Sequence, residues 1–354
     1  MLNPRVLALR AGLKVLHGSG LASVLRKKLQ GAGSIFCLHH VCPGGGLEQG
    51  FAPNSKLEIT PEFLRELIAL VRSRGFETVS LSTMVERLKQ GRGTGKPMAV
   101  FTLDDGYKDN FVHAMPIFEA LDCPYTVFIA PAITDGTCNL WWRTLEQVIA
   151  GSGHLKFTSA GRQFDLPCQT VKQKLKTFDE LFWFYARMDE HLQRVSIDKL
   201  AASFAVDPQA YCRRVAMDWA QVKAMAKSPL CTIGAHTINH FLLRTLNEED
   251  AYTEMRDSRL RIENELGQEV AFFAYPYGDK RAAGLREYQL AKKAGFTASV
   301  TTRKGVIWPE DVAHLQSLPR IMVSGRYQET AFVDALISGL PTALLNKVRP
   351  VNAD

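Results

Sequence analysis

Pro97-Met98-Ala99-Val100-Phe101-Thr102-Leu103-Asp104-Asp105-Gly106 opens with seven uncharged residues and then runs directly into two carboxylates and a glycine. A short apolar run bounded in this way reads as a strand buried on both faces, as in a parallel sheet. Working outward, residues 114–121 have helical spacing and residues 125–130 read as a second buried strand. Upstream, residues 81–90 and 61–74 are helical, the latter with Thr60 as cap, Pro61 at the first position and Gly75 at the end. The strand-like residues 77–79 lie between them. Ser34 to Leu38 forms the earliest strand and ends in His39-His40, before the Gly44-Gly45-Gly46 turn.

The rhythm returns late in the chain. A strand over residues 230–234 leads into Ala235-His236-Thr237-Ile238-Asn239-His240, followed by a helix at 248–266, a strand at 270–275, a helix at 285–294, and strands near 298–301 and 321–323. Strands alternating with helices imply a parallel sheet with helices outside it. Residues 137–228 break the pattern with Trp141-Trp142, a helix at 145–149, a strand pair between 151 and 166, and a charged, aromatic helical stretch through Trp183. That block reads as an insertion sheltering a cleft, and not as an independent domain. The expected organisation is a basic amphipathic segment at 1–30, one domain at 31–340 that includes the 137–228 insertion, and a tail at 341–354.

The chain has 354 residues, 46% of them hydrophobic and 22% charged, with a formal charge of +7. Ordinary hydrophobic, Gly and Pro contents exclude disorder and a collagen repeat. The basic balance invites a nucleic-acid reading, but Arg5, Arg10, Lys14, Arg26, Lys27 and Lys28 supply six of the seven net charges within the first 30 residues, where no acid occurs. The rest of the chain is nearly neutral, which argues against a nucleic-acid face. Val6, Leu9, Leu13 and Leu16 recur at helical spacing opposite Arg10 and Lys14. This segment reads as a helix packed on the domain or, alternatively, as one lying on an anionic membrane. No apolar run approaches the about 18 residues of a membrane span, and none near the start resembles a secretory signal. Seven scattered cysteines without a C-x-x-C pair read as small buried residues in a reducing compartment. The expected location is therefore cytoplasmic, with peripheral contact to the inner membrane.

Asp104-Asp105 stands at the C-terminal end of a strand, the edge where active sites assemble in parallel α/β folds. Adjacent carboxylates repel, so a cation or a proton is needed to hold them together. A turn or cap is the alternative reading. His236 and His240 supply two imidazoles four residues apart, a weak metal signal by itself, but His236 also follows a buried strand. Two imidazoles and one carboxylate suit a transition metal with open coordination positions.

These segments resemble a known family. Phe101-Thr102-Leu103-Asp104-Asp105-Gly106-Tyr107 and His236-Thr237-Ile238-Asn239-His240-Phe241-Leu242 are similar to the T-F-D-D-G and H-[ST]-x-x-H-x-x-L motifs of polysaccharide deacetylases, the NodB-homology or carbohydrate esterase family 4 group. The likeness extends to Phe272-Phe273-Ala274-Tyr275-Pro276-Tyr277-Gly278 and to Leu318-Pro319-Arg320-Ile321. It implies an α/β fold, an incomplete (β/α)7-type barrel, and hydrolytic removal of N-acetyl groups from amino sugars of a bacterial polysaccharide or glycolipid precursor. It further implies Asp105, His236 and His240 as ligands of a divalent metal, Zn2+ first and Co2+, Ni2+ or Fe2+ as alternatives, with Asp104 as the base and the Tyr277 backbone N–H at the oxyanion.

Two positions depart from the family pattern. The arginine that usually orients the base is replaced by Ala274, and Arg320 is the candidate substitute. The late histidine that usually supplies the acid has no match, whereas His39 resembles the Y-H-x-V motif of biofilm poly-N-acetylglucosamine deacetylases. His39 is therefore taken as the acid, with His40 as the lesser candidate and a strand-end structural role as the alternative. Trp141 and Trp142 are candidates for stacking on a sugar, or else core anchors. An inert glycan-binding module on the same fold is the rival function, and a non-haem iron oxygenase shares the ligand set.

Overall fold

The computed structural model describes residues 20–46, 50–91 and 95–346, with Gly12 and Gly18 besides. Seven parallel strands form its centre: β1 (Gly33–Leu38), β2 (Met98–Leu103), β3 (Tyr125–Ile129), β4 (Cys231–Ala235), β5 (Phe272–Ala274), β6 (Ala298–Lys304) and β7 (Leu318–Met322). Each pairs with the next in chain order. β7 returns to β1, with Phe36 opposite Ile321, and closes the ring. The result is the seven-stranded α/β barrel implied by the sequence. A two-residue strand, Glu77–Thr78, adds to β2 beside Met98 and Ala99.

Register aligns the strand ends. β1 and β2 pair from Gly33–Met98 to Leu38–Leu103, and the Asp104 N–H donates to the Leu38 carbonyl at 3.0 Å. His39 and Asp104 therefore leave the barrel at the same level. Across the ring, the His236 N–H donates to the Ile129 carbonyl at 3.0 Å as β4 ends beside β3. Every residue of β1, β2 and β3 is buried, as their unbroken apolar runs require.

Helices cover the outside of the ring. Pro61–Ser73 starts where Thr60 Oγ1 accepts the Phe63 N–H at 3.1 Å, and it buries Phe63, Leu64, Leu67, Ile68 and Val71 on one face. Such side chains contribute about 1.5–3 kcal/mol each when fully buried. Glu248–Leu266 has the bounds expected from its sequence, with Asn247 as cap and Gly267 in the left-handed region after it.

The insertion folds as helices Trp141–Ala150, Val171–Tyr185, Glu190–Ser203 and Ala210–Val215 around the hairpin His154–Ser159/Arg162–Pro167. Its first helix begins four residues before the expected start at 145. Trp141, Leu145, Phe178 and Leu181 share an apolar cluster with Tyr107 and Ala130 of the barrel, so the insertion is continuous with the core.

The described part of the basic N-terminal segment packs on the domain. Helix Leu21–Leu29 anchors to the body through Arg26, which meets Asp334 at 2.6 Å, and Arg74 meets the same carboxylate at 2.6 Å. Val6, Leu9, Arg10, Leu13, Lys14 and Leu16, which carry the amphipathic pattern, lie outside the described residues, as do residues 347–354. No helix among the described residues is long and apolar enough to cross a membrane.

Candidate active site

Asp104 and Asp105 follow β2, His39 and His40 follow β1, His236 follows β4, and Tyr277 lies just beyond β5. All occupy one end of the barrel. Asp104, Asp105, His236 and His240 are each at most 4% exposed. His236 Nε2 lies 3.4 Å and His240 Nε2 3.2 Å from Asp105 Oδ1. His236 Nδ1 lies 2.7 Å from the Ala274 carbonyl, which can only accept, so Nδ1 carries a proton and Nε2 is the nitrogen turned toward Asp105. Asp105 Oδ1 and His240 Nδ1 have no hydrogen-bond partner although both are buried. Burial works to raise the Asp105 carboxyl, yet the two imidazoles outweigh it and hold the group well below the usual carboxylate range.

Ligand atoms of Asp105, His236 and His240 all lie within 4.8 Å of one another. An ionised carboxylate and the Nε2 atoms of two imidazoles converge there. Two nitrogens and one oxygen in a dry, preformed cluster fit a divalent transition ion. The residues present therefore match the metal implied by the sequence.

Asp104 is held differently. Arg320 grips it with two parallel hydrogen bonds, Nη1 to Oδ1 and Nη2 to Oδ2, both at 2.7 Å. The guanidinium is itself fixed by the Thr301 carbonyl at 2.8 Å and Thr102 Oγ1 at 3.0 Å. Arg320 is fully buried. Burial works to raise the Asp104 carboxyl, but the charge and hydrogen bonds of Arg320 outweigh it and hold Asp104 below its ordinary value. The arginine missing at Ala274 is thus supplied from β7, while the Ala274 carbonyl orients His236 instead.

His39 and Cys37 stand beside Asp104, with ligand atoms of all three within 4.8 Å. Burial pushes the His39 imidazole below its usual value, against the pull of Asp105 and Asp104. His40 points elsewhere, its Nδ1 2.6 Å from Asp109 and its ring stacked on Tyr107 at 3.6 Å. Asn110 holds the site from below by donating to the His39 carbonyl at 2.7 Å.

Trp141 and Trp142 do not offer open faces. Trp141 is fully buried and its indole N–H donates to the Tyr277 hydroxyl at 2.8 Å. Trp142 is 5% exposed and lies against the His240 ring with centroids 5.0 Å apart. Expected stacking on a sugar therefore gives way to the core-anchor reading, because Phe182 packs on Trp141 and the rings of His240 and Tyr277 pack on Trp142. Tyr277 adopts a left-handed backbone, φ 61°, at the turn after β5.

Sequence reasoning missed two neighbours. Cys37 Sγ lies 3.4 Å from Asp104 Oδ2, and Thr102 supports Arg320. Strand periodicity held the signal, since counting back two residues from His39 and Asp104 reaches Cys37 and Thr102 on the same barrel-facing side.

A family model described as polysaccharide deacetylase matches residues 174–299, a span that includes His236, His240 and Tyr277. Over that span the chain resembles the polysaccharide deacetylase family. Among curated polysaccharide deacetylases, the putative polysaccharide deacetylase YxkH of Bacillus subtilis is 30% identical over 112 residues, 32% of this chain and 38% of that protein. The poly-beta-1,6-N-acetyl-D-glucosamine N-deacetylase of Escherichia coli K12 is 19% identical over 319 residues, 82% of this chain and 37% of that protein. The chain thus matches less than two fifths of the length of either relative. Among solved structures, the Streptococcus pyogenes deacetylase PplD in complex with acetate superposes with a TM-score of 0.53 at 17% identity, covering 90% of this chain and 98% of that one. At that identity the likeness concerns the barrel.

Proposed function

We propose that this chain is a polysaccharide deacetylase, a metal-dependent hydrolase that removes N-acetyl groups from amino sugars of a bacterial polysaccharide or glycolipid precursor. The observation that carries the reading is the pairing of two differently held carboxylates. Asp105 faces the Nε2 atoms of two imidazoles, while Asp104, one residue away, is kept from that cluster by Arg320. The E. coli relative named as an N-deacetylase of poly-beta-1,6-N-acetyl-D-glucosamine supports the substrate class.

Asp105, His236 and His240 would hold the metal, with Zn2+ best suited to the donor set and Co2+, Ni2+ or Fe2+ as alternatives. Such an ion supplies a bound water with its pKa lowered toward about 7 and polarises the amide carbonyl. Asp104, kept ionised by Arg320, accepts the proton of the attacking water. The Tyr277 backbone N–H is the candidate donor to the developing oxyanion. His39 delivers a proton to the departing amine, which is too basic to leave unprotonated. The walls built by Trp141 and Trp142 keep water away from His240 and fix the Tyr277 side chain.

The test is acetate release from N-acetylglucosamine oligomers with Zn2+ or Co2+. Wild-type protein should release acetate and Asp105→Ala should not. An equal yield from both would overturn the reading, and no release from either would favour the inert glycan-binding alternative. For location, we propose peripheral contact with the cytoplasmic face of the inner membrane through residues 1–30. Removal of residues 1–19 should reduce sedimentation with anionic vesicles, and unchanged sedimentation would refute that contact.

A further inference from the structure

The insertion reaches the loop that carries His240. Helix Glu190–Ser203 is capped by Asp189, whose Oδ1 accepts the N–H groups of His191 at 3.0 Å and Leu192 at 3.1 Å. Glu190, the first residue of the helix, is 1% exposed, and its Oε1 accepts the Leu242 N–H at 2.9 Å. Four residues on, and so on the same helix face, Arg194 donates to the carbonyls of Asn139 and Asn239 and lies 3.5 Å from Glu190 Oε2. Its guanidinium also covers the Phe241 ring at 5.3 Å. From the opposite side, Glu254 of Glu248–Leu266 accepts the Asn239 N–H at 2.9 Å and the Asn239 side-chain amide at 2.6 Å. Residues 239, 241 and 242 are thus fixed on both sides of His240.

The loop needs such support. Thr237 and His240 adopt φ 60° and 57°, a conformation that non-glycine residues avoid and that persists only where surroundings over-determine it.

We propose that Glu190, Arg194 and Glu254 are positioning residues that preset His240 for metal, so that the insertion is part of the metal site and not only a cover over it. This rests on Asp105, His236 and His240 being the metal ligands. The experiment measures Zn2+ affinity of the metal-stripped full chain by competition with a chromophoric chelator, together with its melting temperature, and needs no substrate. Glu190→Ala should weaken affinity about 10–100-fold, the range for partners that orient metal ligands. Glu190→Gln, which keeps an acceptor for the Leu242 N–H, should recover most of it. Arg194→Lys is the milder second variant if Glu190→Ala does not fold, and should lose affinity several-fold. Unchanged Zn2+ affinity in the folded variants, whatever their melting temperature, would overturn the proposal. Asp105→Ala separates the two readings, because Zn2+ binding that survives it refutes the ligand assignment itself.

Discussion

Replacing Arg320 with Met tests the grip on Asp104. The change removes two hydrogen bonds of 2.7 Å from a carboxylate that is 2% exposed and leaves it charged and unpaired. Removing one partner of a buried ion pair costs about 3–5 kcal/mol. Against a total stability of about 5–15 kcal/mol, that is readable in urea unfolding followed by the fluorescence of the five tryptophans. Asp104→Asn should also destabilise, by stranding the Arg320 charge, but the double variant removes both charges and should lose much less than the sum. A coupling of about 2 kcal/mol or more is expected, because the partners touch.

The pH dependence follows from the same pair. In the wild type, Asp104 lies below its ordinary value of 3.8, so its contribution is complete above that value and fades as pH falls through the lower folded one. In Arg320→Met, burial is left to dominate and raises the carboxyl, so the variant is penalised as pH rises through the new value. The gap between the two proteins should be wide at neutral pH and narrow toward pH of about 4. Additivity of the single changes within about 0.5 kcal/mol, or a gap independent of pH, would refute the reasoning.

His39→Gln should lower acetate release by about 10²–10⁴-fold, the scale of a lost general acid, while metal content measured by elemental analysis stays unchanged. Asp105→Asn should lower that metal content, since a neutral amide replaces the anionic ligand. Gly106→Ala should lower the melting temperature, because Gly106 sits at φ 71° and an added Cβ would lie 2.9 Å from Ile129 Cγ2. The left-handed conformation alone costs a non-glycine residue about 1–2 kcal/mol, and an unchanged melting temperature would count against the close packing.

Much of the barrel was legible because its strands are buried on both faces and so read as unbroken apolar runs, from Ile35 to Leu38 and from Met98 to Leu103. Helix ends followed from local chemistry, as with Thr60 and Asn247. Asp105, His236 and His240 were legible from residue type, spacing and the family motif. Exposure was not. Whether Trp141 faces a cleft depends on Phe182, whose ring lies 4.9 Å away and arrives from a separate helix, and Trp142 is covered by His240 and Tyr277 from much later in the chain. Nothing local ties Glu190 to Leu242, which are 52 residues apart. Arg320 and Asp104 are 216 residues apart and meet only because β7 closes on β1.

Backbone strain explains how two successive carboxylates serve one cleft in different ways. Along a strand, neighbouring side chains point to opposite faces, so an extended Asp104-Asp105 would send one carboxylate toward Arg320 in the barrel and the other away from it. Asp105 instead adopts φ 75° and Gly106 φ 71°. The chain reverses as it leaves β2, and Asp105 swings over the barrel mouth to His236 and His240 while Asp104 stays on Arg320. Thr237, His240 and Tyr277 share the left-handed region, so four of the seven non-glycine residues with positive φ among the described residues lie at this site. At about 1–2 kcal/mol each, such strain requires compensation nearby. The buried hydrogen bonds of Arg320 on Asp104, and of Glu190 and Glu254 on the loop of His240, provide it, and the proposed roles, one carboxylate taking a proton and the other holding a cation, rest on that arrangement.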